Sequence, residues 1–143
     1  MRFWDTSGLV PLVLEEPGTD LALGLLREDP DVVVWGLTRL ELASAIERAV
    51  REGRVPASAR RPALQRIERI AADAHEVSDL AAVRARAIPL VARHPLRAAD
   101  AVQLGAALLV ADPDPSSLTM VVLDRRLAEA AEREGLRVLT WPV

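Results

Sequence analysis

The stretch "TMVVLDRRLAEAAEREGLRVL", residues 119–139, decides the fold. A Val-rich run suits a strand, a single acid stands where a helix N-cap belongs, a helix-like segment follows, and Gly135 sits at its C-terminal stop. A second apolar run then begins. Strand, helix and strand in this order read as a parallel pair with a crossover.

The unit recurs along the chain. Strands are expected over 2–4, 32–35, 76–78, 118–123 and 136–141, and helices over 8–14, 19–27, 39–51, within 57–74, and over 80–92, 97–110 and 125–134. Gly53 is a second helix stop, and Pro62 and Pro89 should start, end or kink the helices that hold them. The expectation is an α/β domain with a central, mostly parallel sheet, occupying residues 1–143 as a single unit. The loop "ADPDPSSL", 111–118, is the clearest turn cluster, with Asp112 and Asp114 as solvated turn formers.

Composition narrows the chemistry. The chain has no Cys, which excludes disulfides, thiolate zinc sites and cysteine nucleophiles and fits a reducing, cytoplasmic setting. The apolar "GLVPLVL" near the N-terminus is preceded by Asp5, ends in Glu15 and Glu16 and lacks an Ala-x-Ala site, so it is not expected to be a signal segment. The longest apolar run, 104–111, is far short of the roughly 20 residues that span a bilayer. All 18 basic residues are Arg. They are unevenly spread: residues 1–47 hold 3 Arg against 9 acids, 48–97 hold 11 against 5, and 98–143 hold 4 against 7. A basic middle third beside acidic ends suits a protein that handles polyanions through bound cations, or a set of solvated helix faces.

Four acids stand out by position. Asp5 follows the first strand, Glu41 follows "VVVW", and Asp124 follows "TMVVL". Each has an ordinary role available: Asp5 and Asp124 as N-caps, and Glu41 with Thr38 as a capping box. A parallel sheet nevertheless brings every strand-to-helix junction to its carboxyl edge, where open α/β folds bind ligands, so three separate caps become one cluster. Asp100, in "RAADAVQLGAALLVA", enters a helix that is apolar nearly all round and calls for a partner, a cation or the helix dipole, with Arg97 nearby.

Four converging carboxylates with neither His nor Cys beside them specify a hard cation, Mg²⁺ or Mn²⁺. Against one divalent ion they leave about −2, room for a second ion arriving with a phosphate. The arrangement suits phosphodiester hydrolysis, with Thr6 and Ser7 available to orient water or to serve as helix-start hydroxyls.

The motifs "DTSGLV" (5–10), "TRLELASAI" (38–46), "LRAADAVQLGAAL" (96–108) and "VVLDRRLAEAAEREGLRVL" (121–139) together resemble the PIN domain nucleases, and within them the VapC-type toxins of toxin-antitoxin modules. The resemblance implies a three-layer α/β/α sandwich, a Mg²⁺-dependent endoribonuclease acting on RNA, a homodimer, and inhibition by a small cognate antitoxin. It places Asp5, Glu41, Asp100 and Asp124 at the family's acidic, metal-holding positions and Thr6 at its hydroxyl. One position departs: Val122 stands where many relatives carry Thr or Ser, which points to Asp124 acting through a bound water. A housekeeping RNA-processing nuclease and a silent RNA- or protein-binding module of the same fold are the alternatives.

Other residues have weaker claims. His94, three residues before Arg97, is a phosphate contact or a solvated helix-end residue, and His75 has no supporting neighbours. Trp4, Trp35 and Trp141 end strands, where they wedge the sheet against helices or stack on bases. The Arg-rich segment 48–69 is an RNA guide or a solvated face, and its apolar companions Ile46, Val50, Leu64, Ile67 and Ile70 suit packing, dimerisation or antitoxin docking.

Overall fold

In a computed structural model, which describes residues 1–142, the expected alternation folds into five parallel strands and seven α-helices. Strand β1 (Arg2–Trp4) leads into α1 (Thr6–Val13) and α2 (Thr19–Glu28), then β2 (Val32–Trp35) into α3 (Thr38–Arg51) and α4 (Arg60–Asp73). The chain continues through β3 (His75–Val77), α5 (Leu80–Arg93), α6 (Ala98–Ala111), β4 (Thr119–Val121), α7 (Arg125–Arg133) and β5 (Arg137–Leu139). The strand order is β3-β2-β1-β4-β5 and every pairing is parallel. The chain therefore starts in the middle of the sheet, builds one flank, and returns to build the other beside β1.

Side-chain alternation along the strands creates two cores. Phe3, Val33, Trp35 and Met120 point to one face and pack with α5, α6 and α7. Trp4, Val32, Val34 and Val121 point to the other and pack with α1 to α4. The result is three layers, helices on both faces of a buried sheet. Each fully buried Leu or Phe in these cores contributes about 1.5–3 kcal/mol from burial.

Three boundaries differ from the sequence expectation. Helix α1 starts two residues earlier, at Thr6, because Asp5 caps it. Thr38 and Glu41 do not form a capping box: the N-cap of α3 is Leu37, without a side-chain bond, and Thr38 lies inside the helix, buried. Helix α5 runs on through Pro89 to Arg93, whereas Pro62 falls in the first turn of α4, where it is tolerated. Gly53 and Gly135 have φ of 70° and 94°, the left-handed conformation that ends helices.

Among the described residues, no helix is long and apolar enough to cross a membrane. The three Trp side chains are buried, so they wedge the cores and offer no face for base stacking. Ile46 and Ile67 also fill the core, while Leu64 is exposed.

Candidate metal and RNA site

The first strand delivers Asp5 to the carboxyl edge, and the order in which strands are added reverses next to it. Strands β1 and β4 are neighbours, and the Asp5 N–H donates to the Val121 carbonyl at 3.0 Å. Asp5 and Asp124 thus stand on either side of the topological switch point, the ligand-binding crevice of open α/β sheets. Gly8 permits the close approach of α1 to this point, since a Cβ there would lie 2.8 Å from the Val121 carbonyl oxygen.

Asp5 is 4% exposed. Its Oδ2 accepts the Ser7 N–H at 2.9 Å and the Ser7 hydroxyl, capping α1. The Ser7 Oγ in turn accepts the backbone N–H of Leu123 at 2.8 Å and of Asp124 at 3.1 Å. One hydroxyl therefore ties the first acidic position to the last. Val122, the residue at the departing position, is fully buried in the core, and the hydroxyl at this turn comes from Ser7.

Glu41 lies in the first turn of α3, half-buried. Asp100 lies in the first turn of α6, after the N-cap Arg97. Asp124 caps α7, its Oδ1 accepting the Leu127 N–H at 2.8 Å, and is itself exposed. All four acids line one cleft of about 540 Å³ together with Thr6, Ser7, Val10, Leu40, Ser44 and Arg48.

Their charges act on one another. Burial pushes the Asp5 carboxyl up to about 6, against the Ser7 hydrogen bonds, and Asp100 adds to the rise. Burial also raises Glu41, helped by the Asp5 charge and opposed by Gln103 and Thr6. Asp100 is raised by burial first and then by the Asp124 charge, with the Arg97 backbone opposing. Three mutually repelling carboxyls at a helix-lined edge are an incomplete electrostatic arrangement that a cation would complete.

The donor set tests which ion fits. It contains carboxylate and hydroxyl oxygens and no imidazole or thiolate, the chemistry of Mg²⁺ and Mn²⁺. As the side chains stand, no three Asp, Glu or His among the described residues are close enough to share one ion. The chemistry fits a hard cation, while the side chains are set apart.

A second cavity continues from the Asp100 and Asp124 side and is lined by Arg48, Arg97, Arg125 and Arg126. Arg125 pairs with Glu129 at 2.9 Å. Arg48, Arg97 and Arg126 are exposed and make no ion pair among the described residues. Much of the Arg-rich segment turns elsewhere: Arg60 is held by Glu47 at 2.7 Å, Arg54 by Glu52, and Arg66 by the Val13 carbonyl.

One side chain departs from the sequence expectation and another joins the site unannounced by it. His94 is neither solvated nor in the cleft: it ends α5, is 8% exposed, and its Nε2 meets the Glu134 Oε1 at 2.6 Å. Gln103 joins the site although sequence reasoning passed over it. It is 1% exposed, and its amide nitrogen lies 3.0 Å from Thr6 Oγ1, 3.2 Å from Thr38 Oγ1 and 3.0 Å from Glu41 Oε1. The available signal was a polar amide in the otherwise apolar "AVQLGAALLVA", the same anomaly that drew attention to Asp100.

Comparison with known proteins bears on the family and the fold. The sequence profile of the PIN domain matches residues 2–133. The ribonucleases VapC45 and VapC49 of two Mycobacterium tuberculosis strains are each 34% identical to the chain over 136 residues, 95% of this chain and 92% of theirs. Among solved structures, a toxin-antitoxin complex from Klebsiella pneumoniae superposes with a TM-score of 0.67 over the whole of both chains at 17% identity, a likeness of fold.

Proposed function

The chain belongs to the PIN domain family, and from that premise we propose that it is a Mg²⁺-dependent endoribonuclease, the toxin of a toxin-antitoxin pair, working in the cytoplasm as a homodimer until a cognate antitoxin blocks it. The observation that carries the reading is the convergence of Asp5, Glu41, Asp100 and Asp124 on one cleft beside unpaired arginines. The 34% identity to two ribonucleases along nearly the whole chain supports the reaction class.

Asp5, Glu41 and Asp100 would hold the ion once their side chains turn inward from the lining of the cleft, with Asp124 completing the acidic set at the exposed end. When bound, Mg²⁺ supplies an acidified water and neutralises charge on the phosphodiester. The chain's own groups do the rest. Thr6 Oγ1 accepts from Gln103, which leaves its hydroxyl hydrogen free to donate towards the Glu41 carboxylate or water. Arg48, Arg97 and Arg126 are placed to hold phosphates of a single strand next to the cleft. Hydrolysis then adds water across one P–O bond, in line with the departing ribose oxygen.

Expression in a bacterial host tests the biological half. Wild-type chain should arrest growth, Asp5→Asn should not, and co-expression of the short reading frame beside its gene should restore growth. Growth unaffected by wild-type protein that cleaves RNA in vitro would favour a housekeeping nuclease.

A further inference from the structure

Gln103 sits one helical turn after Asp100 on α6, so the two side chains leave the same face of that helix. From there its amide reaches residues far away in sequence: Thr6 at the start of α1, and Thr38 and Glu41 at the start of α3. We infer that Gln103 is a positioning residue, whose amide fixes the direction of the Glu41 carboxylate and the Thr6 hydroxyl. The inference rests on the reading of this cleft as the metal and RNA site.

Donor and acceptor counting carries the argument. An ionised carboxylate only accepts, so the amide nitrogen and not its oxygen must face Glu41. One of the two N–H groups goes to Glu41 Oε1, a charge-assisted bond and the stronger of the set. The other is shared by the Thr6 and Thr38 hydroxyl oxygens, 3.0 and 3.2 Å away. The amide oxygen is left buried with no partner among the described residues. Turning the amide over would satisfy that oxygen with the two hydroxyls but would aim it at the Glu41 carboxylate. The arrangement accepts an orphaned carbonyl in order to keep a donor on Glu41, and a buried unpaired group is otherwise rare.

The consequence is specific to the site. With Gln103 in place, Thr6 and Thr38 both accept, and their hydrogens are directed outward from the amide. Without it, Glu41 loses a directing donor and Thr6 can rotate its hydroxyl into the vacated space. The two helix starts that carry Thr6 and Glu41 would keep their backbone positions, because the Asp5 cap holds α1 and the Gly36 N–H, donating to the Val77 carbonyl at 2.9 Å, holds the turn before α3.

The test compares wild type with Gln103→Leu, which fills similar space without hydrogen bonds, and Gln103→Met, which keeps the unbranched shape and adds neither an N–H donor nor a charge. Binding is read with Mn²⁺ alone, from loss of the free-ion electron paramagnetic resonance signal. Cleavage is read as kcat and KM on a single-stranded RNA, and folding as the thermal midpoint. Loss of a residue that orients metal-site groups costs roughly 10- to 100-fold. Both variants should therefore fold, bind Mn²⁺ 10- to 100-fold more weakly and lose a similar factor in kcat, with KM within about twofold. Variants with wild-type Mn²⁺ affinity and kcat, whatever their thermal midpoint, would overturn the inference and leave the site reading standing. Wild type that neither binds Mn²⁺ nor cleaves would instead overturn the site reading, and the inference with it.

Discussion

The Ser7 hydroxyl accepts the Asp124 backbone N–H at 3.1 Å while donating to the Asp5 carboxylate, so a single oxygen sets the spacing between the acids at the first and fourth strand ends. Ser7→Ala removes this tie and leaves the Leu123 and Asp124 amides to find water. A half-buried hydroxyl with three partners should cost about 1–3 kcal/mol of stability on removal, seen as a lower midpoint in urea. Cleavage should fall about 10- to 100-fold as Asp5 and Asp124 lose their shared support.

Asp5 makes the metal-free protein less stable as pH rises. Its folded carboxyl sits at about 6, above the 3.8 of an ordinary Asp, so between these values the folded state holds a proton that the unfolded state has released. Stability is greatest below pH 4 for this group, falls as pH climbs from about 4 to 6, and stays low above. A rise of this size corresponds to about 3 kcal/mol. Asp5→Asn should flatten this part of the pH–stability curve and raise the midpoint at pH 7 in EDTA. An unchanged curve would show that Asp5 is not a buried, destabilised carboxyl.

Asp124 offers a separation of structural from chemical roles. Asn caps helices about as well as Asp, so Asp124→Asn should keep the Leu127 bond and change stability by less than about 0.5 kcal/mol. Its cleavage rate should drop nonetheless, and by less than that of Asp5→Asn, because Asp124 is exposed and half occupied with capping. Chemical denaturation and single-turnover cleavage of the same preparation decide it.

Arg48, Arg97 and Arg126 should act by charge. Each Arg→Gln change should weaken binding of every single-stranded sequence alike and reduce the slope of log K against log salt by about 0.7. A variant that altered the cut site without changing the salt slope would assign that residue to base contacts.

The limits of what a sequence discloses follow from distance along the chain. Asp5, Glu41 and Asp124 were legible because a parallel sheet sends every strand end to one edge, and Asp100 because a carboxylate is conspicuous in an apolar helix. Ser7 and Gln103 were not assigned their partners, since those lie 116 and 117 residues away for Ser7 and 62 to 97 for Gln103. Thr38 and Glu41 have the spacing of a capping box, yet tertiary contact with Gln103 takes the threonine for another use. His94 looked solvated from its place at a helix end; Glu134, 40 residues on, holds it instead.

Cleavage of a mixed RNA panel by the purified protein, with Mg²⁺, Mn²⁺ or EDTA and with Asp5→Asn and Asp100→Asn alongside, decides whether the four-carboxylate cleft is a metal-dependent nuclease site. Cleavage should need the divalent ion, stop with EDTA and fall by at least about 100-fold in both variants. Cleavage that persists in EDTA, or in a folded Asp5→Asn protein at the wild-type rate, would contradict it.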